Sequence, residues 1–240
     1  METLEALLTS IENCNACYLM SENKKLGIPY IPILPKPHAQ VIFIGRDPSP
    51  RTAKMVGKHE GKSAFIKEVF RITNFAGLDE KYIYITDLCK CHWRTSVGKP
   101  IKNTEGRSTV LDKSVGNICM RKWLLREIEI LQPRLIVSFG EELYQFLRPM
   151  VVYPDPAPEK FSATADKSVI DAEYWFASNG PLTVGFNHHK IPLAVLRHPG
   201  NSGRLRQING DLRLKTHERA TKQVQNLLEY VRGNLSCERR

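Results

Sequence analysis

Val41-Ile42-Phe43-Ile44-Gly45-Arg46-Asp47-Pro48 is the stretch on which the architecture turns. Four consecutive β-branched or aromatic residues closed by a glycine read as a strand buried on both faces, because a half-solvated strand would alternate with polar residues. The same pattern recurs at Tyr82-Ile83-Tyr84-Ile85-Thr86, at Leu135-Ile136-Val137-Ser138-Phe139-Gly140, and at Ile191-Pro192-Leu193-Ala194-Val195-Leu196. Between these runs the apolar period changes. Phe65, Val69, Ile72 and Phe75 fall on or near one face of a helix over 63–75, and a strong helix is predicted over 118–131. Another helix runs through Leu143 and Phe146-Leu147, and residues 215–232 close the chain as an amphipathic helix. Strands alternating with helices imply an α/β fold with a mostly parallel sheet covered on both faces, in which ligands bind beyond the carboxyl ends of the strands. Gly45-Arg46-Asp47-Pro48, Thr86-Asp87 and His198-Pro199 each follow a predicted strand directly, so three separated segments are expected to meet at one pocket.

Outward from this frame, Leu4, Leu7, Leu8 and Ile11 form an N-terminal helix, and Cys14-Asn15-Ala16-Cys17 sits on the turn that ends it. A proline-rich stretch from Pro29 to Pro37 is too broken for a helix. Two stretches, 95–117 and 150–190, lack a clean period and are rich in Lys, Ser, Pro and Asp; they read as insertions on a single domain spanning 1–240. Composition excludes a disordered tail or a fibre, with 42% hydrophobic and 25% charged residues in 240. No apolar run approaches the ~20 residues of a membrane span. The first helix carries Glu2, Glu5 and Glu12 where a secretory leader would be basic, so a cytoplasmic protein is expected. Lys plus Arg is 35 against 25 for Asp plus Glu, a net charge of +10 that favours a polyanionic partner through phosphate contacts. A nucleic acid is therefore the expected partner, with no membrane, and no obligate protein partner is inferred.

Six cysteines in a reducing compartment are read for ligation before disulfides. Cys14 and Cys17 form one pair, Cys91 lies on the loop after the second strand, and Cys119 starts a helix. Dispersed thiolates of this kind suit a cluster that staples the N-terminal helix to the core, and a four-cysteine zinc site would use the same ligands. Cys89 is the alternative to Cys91, since Cys89-Lys90-Cys91 alternate faces if the strand continues. Cys237, near the end of the chain, is a free bystander in this reading.

The order and spacing of these motifs resemble the uracil-DNA glycosylase superfamily, and most closely its family 4, the iron–sulfur branch. The resemblance covers most of the chain. It is carried by the early Cys-x-x-Cys, Gly45-Arg46-Asp47-Pro48, Tyr84-Ile85-Thr86-Asp87-Leu88-Cys89-Lys90-Cys91, the helix opening with Cys119, the strand from Leu135 to Gly140, and Leu196-Arg197-His198-Pro199. It implies a three-layer α/β/α fold around a central four-stranded, mostly parallel sheet, and a [4Fe-4S] cluster held by Cys14, Cys17, Cys91 and Cys119. It also implies removal of a base from a flipped-out nucleotide. Cleavage of an N-glycosidic bond builds positive charge on the sugar and negative charge on the departing base. Asp47 would face the sugar and position the attacking water, and His198 would hydrogen-bond O2 of the base. The bland alternatives are a turn carboxylate for Asp47 and a buried structural histidine for His198.

Two departures from the family pattern bear on substrate. Family 4 usually has Glu-Ala after the first glycine, whereas Arg46-Asp47 places the acid as family 1 does. The family 1 tyrosine that blocks bulk at C5 of the pyrimidine is replaced here by Ser49, which leaves space for a C5 substituent. Uracil-specific members carry an asparagine after the second strand; this chain has Asp87. An ionised carboxylate would repel O4 of uracil but accept from the exocyclic N4 amine of cytosine, and a mispaired buried contact costs roughly 1–3 kcal/mol. The favoured substrate is therefore expected to be a C5-modified cytosine, as in hypermodified phage DNA, with a role in antiviral defence. Uracil excision in base repair and a catalytically idle iron–sulfur DNA-binding module are the alternatives.

Phe65 is a candidate to stack on the flipped base, with a core position as the plain alternative. In the predicted loop Gly200-Asn201-Ser202-Gly203-Arg204-Leu205-Arg206, Leu205 would fill the vacated base space while Arg204 and Arg206 take phosphates. Arg51, Lys54, Lys58 and Lys62 form either a phosphate-facing strip or a solvated charged face.

Overall fold

Successive side chains of a strand point to opposite faces, so a strand apolar throughout needs cover on both sides. The computed structural model describes residues 2–17, 36–47, 64–90, 113–152, 169–187, 189–199 and 202–237. In chain order its elements are α1 (Leu4–Glu12), β1 (Val41–Gly45), α2 (Ala64–Phe75), β2 (Ile83–Asp87), α3 (Lys113–Cys119) and α4 (Leu125–Leu131). There follow β3 (Leu135–Phe139), α5 (Glu141–Leu147), β4 (Val151–Val152), α6 (Val169–Asn179), β5 (Leu182–Phe186), β6 (His189–Leu196) and α7 (Ser202–Cys237). Ile42 and Ile44 of β1, Tyr84, Ile136, Leu193 and Val195 pack with α1, α3, α4 and α5. Val41, Phe43, Ile83, Ile85, Val137, Phe139 and Leu196 pack with α2, α7 and Phe176 of α6. The three layers expected from the sequence are present.

The strand order is β2-β1-β3-β6-β5-β4. β2, β1, β3 and β6 are parallel neighbours and form the expected four-stranded core. β5 and β4 extend it as an antiparallel edge. These two strands and α6 come from the 150–190 stretch, which therefore builds part of the sheet and its cover. β4 has two residues and β5 five, too short for a period to show. Because β2 and β3 flank β1 on opposite sides, the chain reverses direction across the sheet at β1, and the crevice beyond its carboxyl end is where such folds place ligands.

Two helices differ from their predicted extents. The helix expected over 118–131 begins at Lys113 and contains a π turn, Met120–Leu124, directly after Cys119. α7 begins at Ser202 rather than near 215, so the loop expected over 200–206 is corrected: Arg204, Leu205 and Arg206 lie in the first turns of a 36-residue helix. Gly203 and Gly210 disguise this start, while Arg204-Leu205-Arg206-Gln207 are strong helix formers. The side chains of these three residues lie outside the described residues. No helix among the described residues is long and apolar enough to cross a membrane.

A buried ion pair joins the end of β2 to α4. Lys90 Nζ donates to Glu127 Oε2 at 2.6 Å, to Thr86 Oγ1 at 2.7 Å and to the Asp87 carbonyl at 2.7 Å. Tyr84 Oη donates to Glu127 Oε1 at 3.0 Å. Both charges are fully removed from water, which is tolerable only because donors and acceptors are matched this completely. Lys90→Met alone leaves Glu127 buried without its cation and should cost about 3–5 kcal/mol in chemical denaturation, whereas Lys90→Met with Glu127→Leu should cost clearly less.

Candidate active site

Gly45, the last residue of β1, stands opposite Asp87, the last of β2. Beyond the ladder, Leu88 N–H donates to the Gly45 carbonyl at 3.0 Å and Cys89 N–H to that of Arg46 at 2.9 Å, so the two segments leave the sheet together. That register brings the Asp47 and Asp87 carboxyl groups near enough for the charge of one to act on the other. Gly45 is needed for the approach: a Cβ there would collide with Asp87 Oδ1 and lie 3.0 Å from the Phe65 ring. Phe65, at the start of α2, packs edge-on against Phe139 with centroids 5.2 Å apart. It is thus a core residue on one side and a wall beside Gly45 and Asp87 on the other.

His198 follows β6 and reaches the same place from the other side of β1. Gly140, at the end of β3, adopts φ +95°, and its N–H donates to the Leu196 carbonyl at 2.9 Å. A Cβ on Gly140 would come to 3.5 Å from that of His198. Arg46 ties these strand ends together: Nε donates to Asp47 Oδ1, and Nη1 to Glu142 Oε2 of α5 at 2.5 Å. The charge of Asp47 thus acts on both Asp87 and His198, and Phe65 lies beside Gly45. The Arg46–Glu142 pair was not read from the sequence, since nothing in residue spacing announces a contact between positions 46 and 142.

Electrostatics assigns the protons. Burial pushes the Asp87 carboxyl up to about 8, and the Asp47 charge adds to the rise; Glu127 does so too, against the opposing cations Lys90 and Arg46. Lys90 donates to the backbone carbonyl of Asp87, not to its carboxyl. At neutral pH Asp87 is therefore a carboxylic acid, which corrects the reading of this residue as an ionised acceptor. A neutral carboxyl both donates and accepts. His198 moves the other way: burial lowers its pKa below 6.5, the Arg46 charge lowers it further, and Asp47 opposes both. Its imidazole is neutral at physiological pH and donates through one nitrogen.

Four cysteines line one layer of the core. Cys14, Cys89 and Cys119 are buried in one apolar cluster, with Cys17 packed against it. Cys89 S–H donates to the Cys119 sulfur, which brings the Cys119 thiol down to about 7 against the upward pull of burial; the Lys90 backbone N–H adds to the lowering. Soft sulfur donors at the end of α1 and at the π turn have the chemistry that an iron–sulfur cluster or zinc requires. Among the described residues no three such donors converge as a metal site. Cys91 lies outside the described residues, as do Ser49, Arg51, Lys54, Lys58 and Lys62.

Two measurements probe this geometry. Gly45→Ala should leave the protein folded but displace Asp87 or Phe65, and should lower base release at least tenfold in a single-turnover assay. Because the folded-state pKa of Asp87 is raised from 3.8 to about 8, its contribution to stability is complete below the lower value and lost as pH rises through the upper one. The melting temperature of the unmutated protein should therefore fall across that interval relative to Asp87→Asn, which has no such proton to lose.

Comparison with known proteins agrees with the fold. The Uracil DNA glycosylase superfamily matches residues 32–215, a span that includes all four parallel strands and the three loops described above. A type-4 uracil-DNA glycosylase of Archaeoglobus fulgidus is 25% identical over 147 residues, which cover 61% of this chain and 64% of the relative. The chain thus spans somewhat less than two thirds of that relative's length. With more than half of its residues matched to the family, this chain belongs to the uracil-DNA glycosylase superfamily.

Proposed function

We propose that the chain is a monofunctional DNA glycosylase that flips out a pyrimidine nucleotide, hydrolyses its N-glycosidic bond and leaves an abasic site. The observation that carries this reading is the meeting of Asp47, Asp87 and neutral His198 beyond the strand ends. As the bond from C1′ to the base stretches, the sugar approaches an oxocarbenium ion, which the Asp47 carboxylate faces and for which it orients water. The electron pair leaves with the base, and His198 donates to O2 as negative charge develops there. Arg46, held against Asp47, adds positive potential at that side of the pocket. Water delivers hydroxide to C1′, and its proton ends on the departing base. No lysine is assigned as a Schiff-base nucleophile.

Asp87 reads the outer edge of the base. In its acid form the O–H donates to N3 of a cytosine while the carbonyl oxygen accepts from the N4 amine, a complementary two-point contact. Because Ser49 stands in the sequence where family 1 carries the tyrosine that blocks C5, the favoured substrate is a C5-modified cytosine, and excision of such bases would act against phage whose DNA carries them. Uracil is the second reading, because the same acid can accept from N3–H and donate to O4; the name of the curated relative supports it. The acid form gives either edge a complementary two-point contact, so C5 bulk rather than the edge decides between them.

The thiols complete the proposal. Cys14, Cys17 and Cys119, with Cys91 as the resemblance implies or Cys89 as its hydrogen bond to Cys119 suggests, would hold a [4Fe-4S] cluster that staples α1 to the core. Its role is structural, since base hydrolysis transfers no electrons. Zinc is the alternative occupant of the same donors.

Release of free base from duplexes containing uracil, cytosine, 5-hydroxymethylcytosine or its glucosylated form separates the readings. The modified cytosines should be released fastest, and Asp47→Ala should abolish release while DNA binding persists. Release of uracil alone would defeat the cytosine assignment, and binding without release from any duplex would leave an idle DNA-binding module. Iron and acid-labile sulfide analysis of Cys89→Ser and Cys91→Ser should show cluster loss in one variant only, naming the third ligand; stoichiometric zinc without iron would overturn the cluster.

A further inference from the structure

Glu173 of α6 is fully buried, and its hydrogen bonds run to Arg197 and His217 rather than to Asp47, Asp87 or His198. A carboxylate removed from water costs several kcal/mol unless its oxygens are matched by donors. Here they are matched by two residues with distinct roles in the chain. Arg197 donates its backbone N–H to Oε1 at 2.9 Å and its Nε to Oε2. His217 of α7 donates Nδ1–H to the same Oε1 at 2.6 Å. Arg197 immediately precedes His198, and His217 lies in α7, which begins shortly after it. One carboxylate therefore grips both ends of the segment 198–216, which carries His198 and the candidate DNA contacts Arg204, Leu205 and Arg206.

We propose that Glu173 is a positioning residue for His198, holding the backbone at the end of β6 so that the imidazole meets the base oxygen. The proposal rests on the reading of His198 as the donor to O2. β6 pairs with β3 up to Leu196, so the N–H of Arg197 is the first amide past the parallel ladder. Glu173 takes that amide and fixes the peptide from which His198 departs. On the β3 side, the Gly140 N–H donates to the Leu196 carbonyl at 2.9 Å and holds the peptide just before Arg197. The backbone leading to the imidazole is thus held by the end of β3 and by a hydrogen bond supplied by α6. This also gives the 150–190 stretch, which provides α6, a part in catalysis without any contact to DNA. A displacement of about 1 Å in such a group costs on the order of a hundredfold in rate.

The test uses the full-length protein in single-turnover base release, in DNA binding, and in NMR of the ring protons of His198, assigned by comparison with His198→Gln. Glu173→Ala should lower the rate constant for release by about a hundredfold, change the affinity for duplex DNA much less, and shift the His198 ring signals. Glu173→Gln keeps an oxygen for the Arg197 amide and should recover most of the rate. If Glu173→Ala fails to fold, Arg197→Met, which keeps the backbone amide on Glu173, should release base within a few-fold of the unmutated protein, and His217→Phe should do likewise. Folded Glu173→Ala with an unchanged rate constant and unchanged His198 signals would overturn the proposal. So would Arg197→Met losing activity as fully as His198→Gln, since the side chain and not the held backbone would then be responsible. Should the unmutated protein release no base from any duplex, the glycosylase reading fails, while the His198 signals still decide whether Glu173 places that ring.

Discussion

The parallel register that sets Gly45 opposite Asp87 is the constraint on which the site depends. It brings two carboxyl groups, Asp47 and Asp87, together beside Phe65 and a glycine with no room for a side chain. Two like charges in a low-dielectric space cannot both persist, so one group keeps its proton. Burial selects Asp87 for that role, and the charge of Asp47 adds to the rise. A slip of one residue between β1 and β2 would turn every side chain to the other face and dissolve the arrangement.

Three buried carboxyl groups near the ends of these strands solve the same desolvation problem differently. Glu127 takes a lysine, a tyrosine and a threonine, and thereby ties the turn after β2 to α4. Glu173 takes a backbone amide, a guanidinium and an imidazole, and ties the end of β6 to α6 and α7. Asp87 takes a proton. The first two are matched by fixed protein donors and so act as structure, whereas a carboxylic acid with its own proton retains the capacity to exchange hydrogen bonds with a ligand.

The antiparallel edge formed by β5 and β4 changes how the 150–190 stretch is understood. The sequence there suggests a decoration, but α6 packs on β6 and α7, and its Phe176 joins the core with residues of β1 and β3. Membership of the superfamily is consistent with this, since the matched span runs through the whole stretch to residue 215.

Runs such as Val41-Ile42-Phe43-Ile44 determined by themselves that the sheet is buried on both faces, and the position of Asp47, Asp87 and His198 just after such runs determined that they share one end of it. These are local properties: strand periodicity and the geometry of parallel sheets carry them without further information. The start of α7 was obscured because Gly203 and Gly210 lower local helix preference, and the edge strands because they are too short to display a period. What only the tertiary structure decided is the protonation of Asp87, the Arg46–Glu142 tie, the choice of Glu173 as the clamp on Arg197, and the approach of Cys89 to Cys119. Each depends on burial and on partners far away in the chain, and the energy of a charge or a thiol is set by what surrounds it in space rather than by its neighbours in sequence.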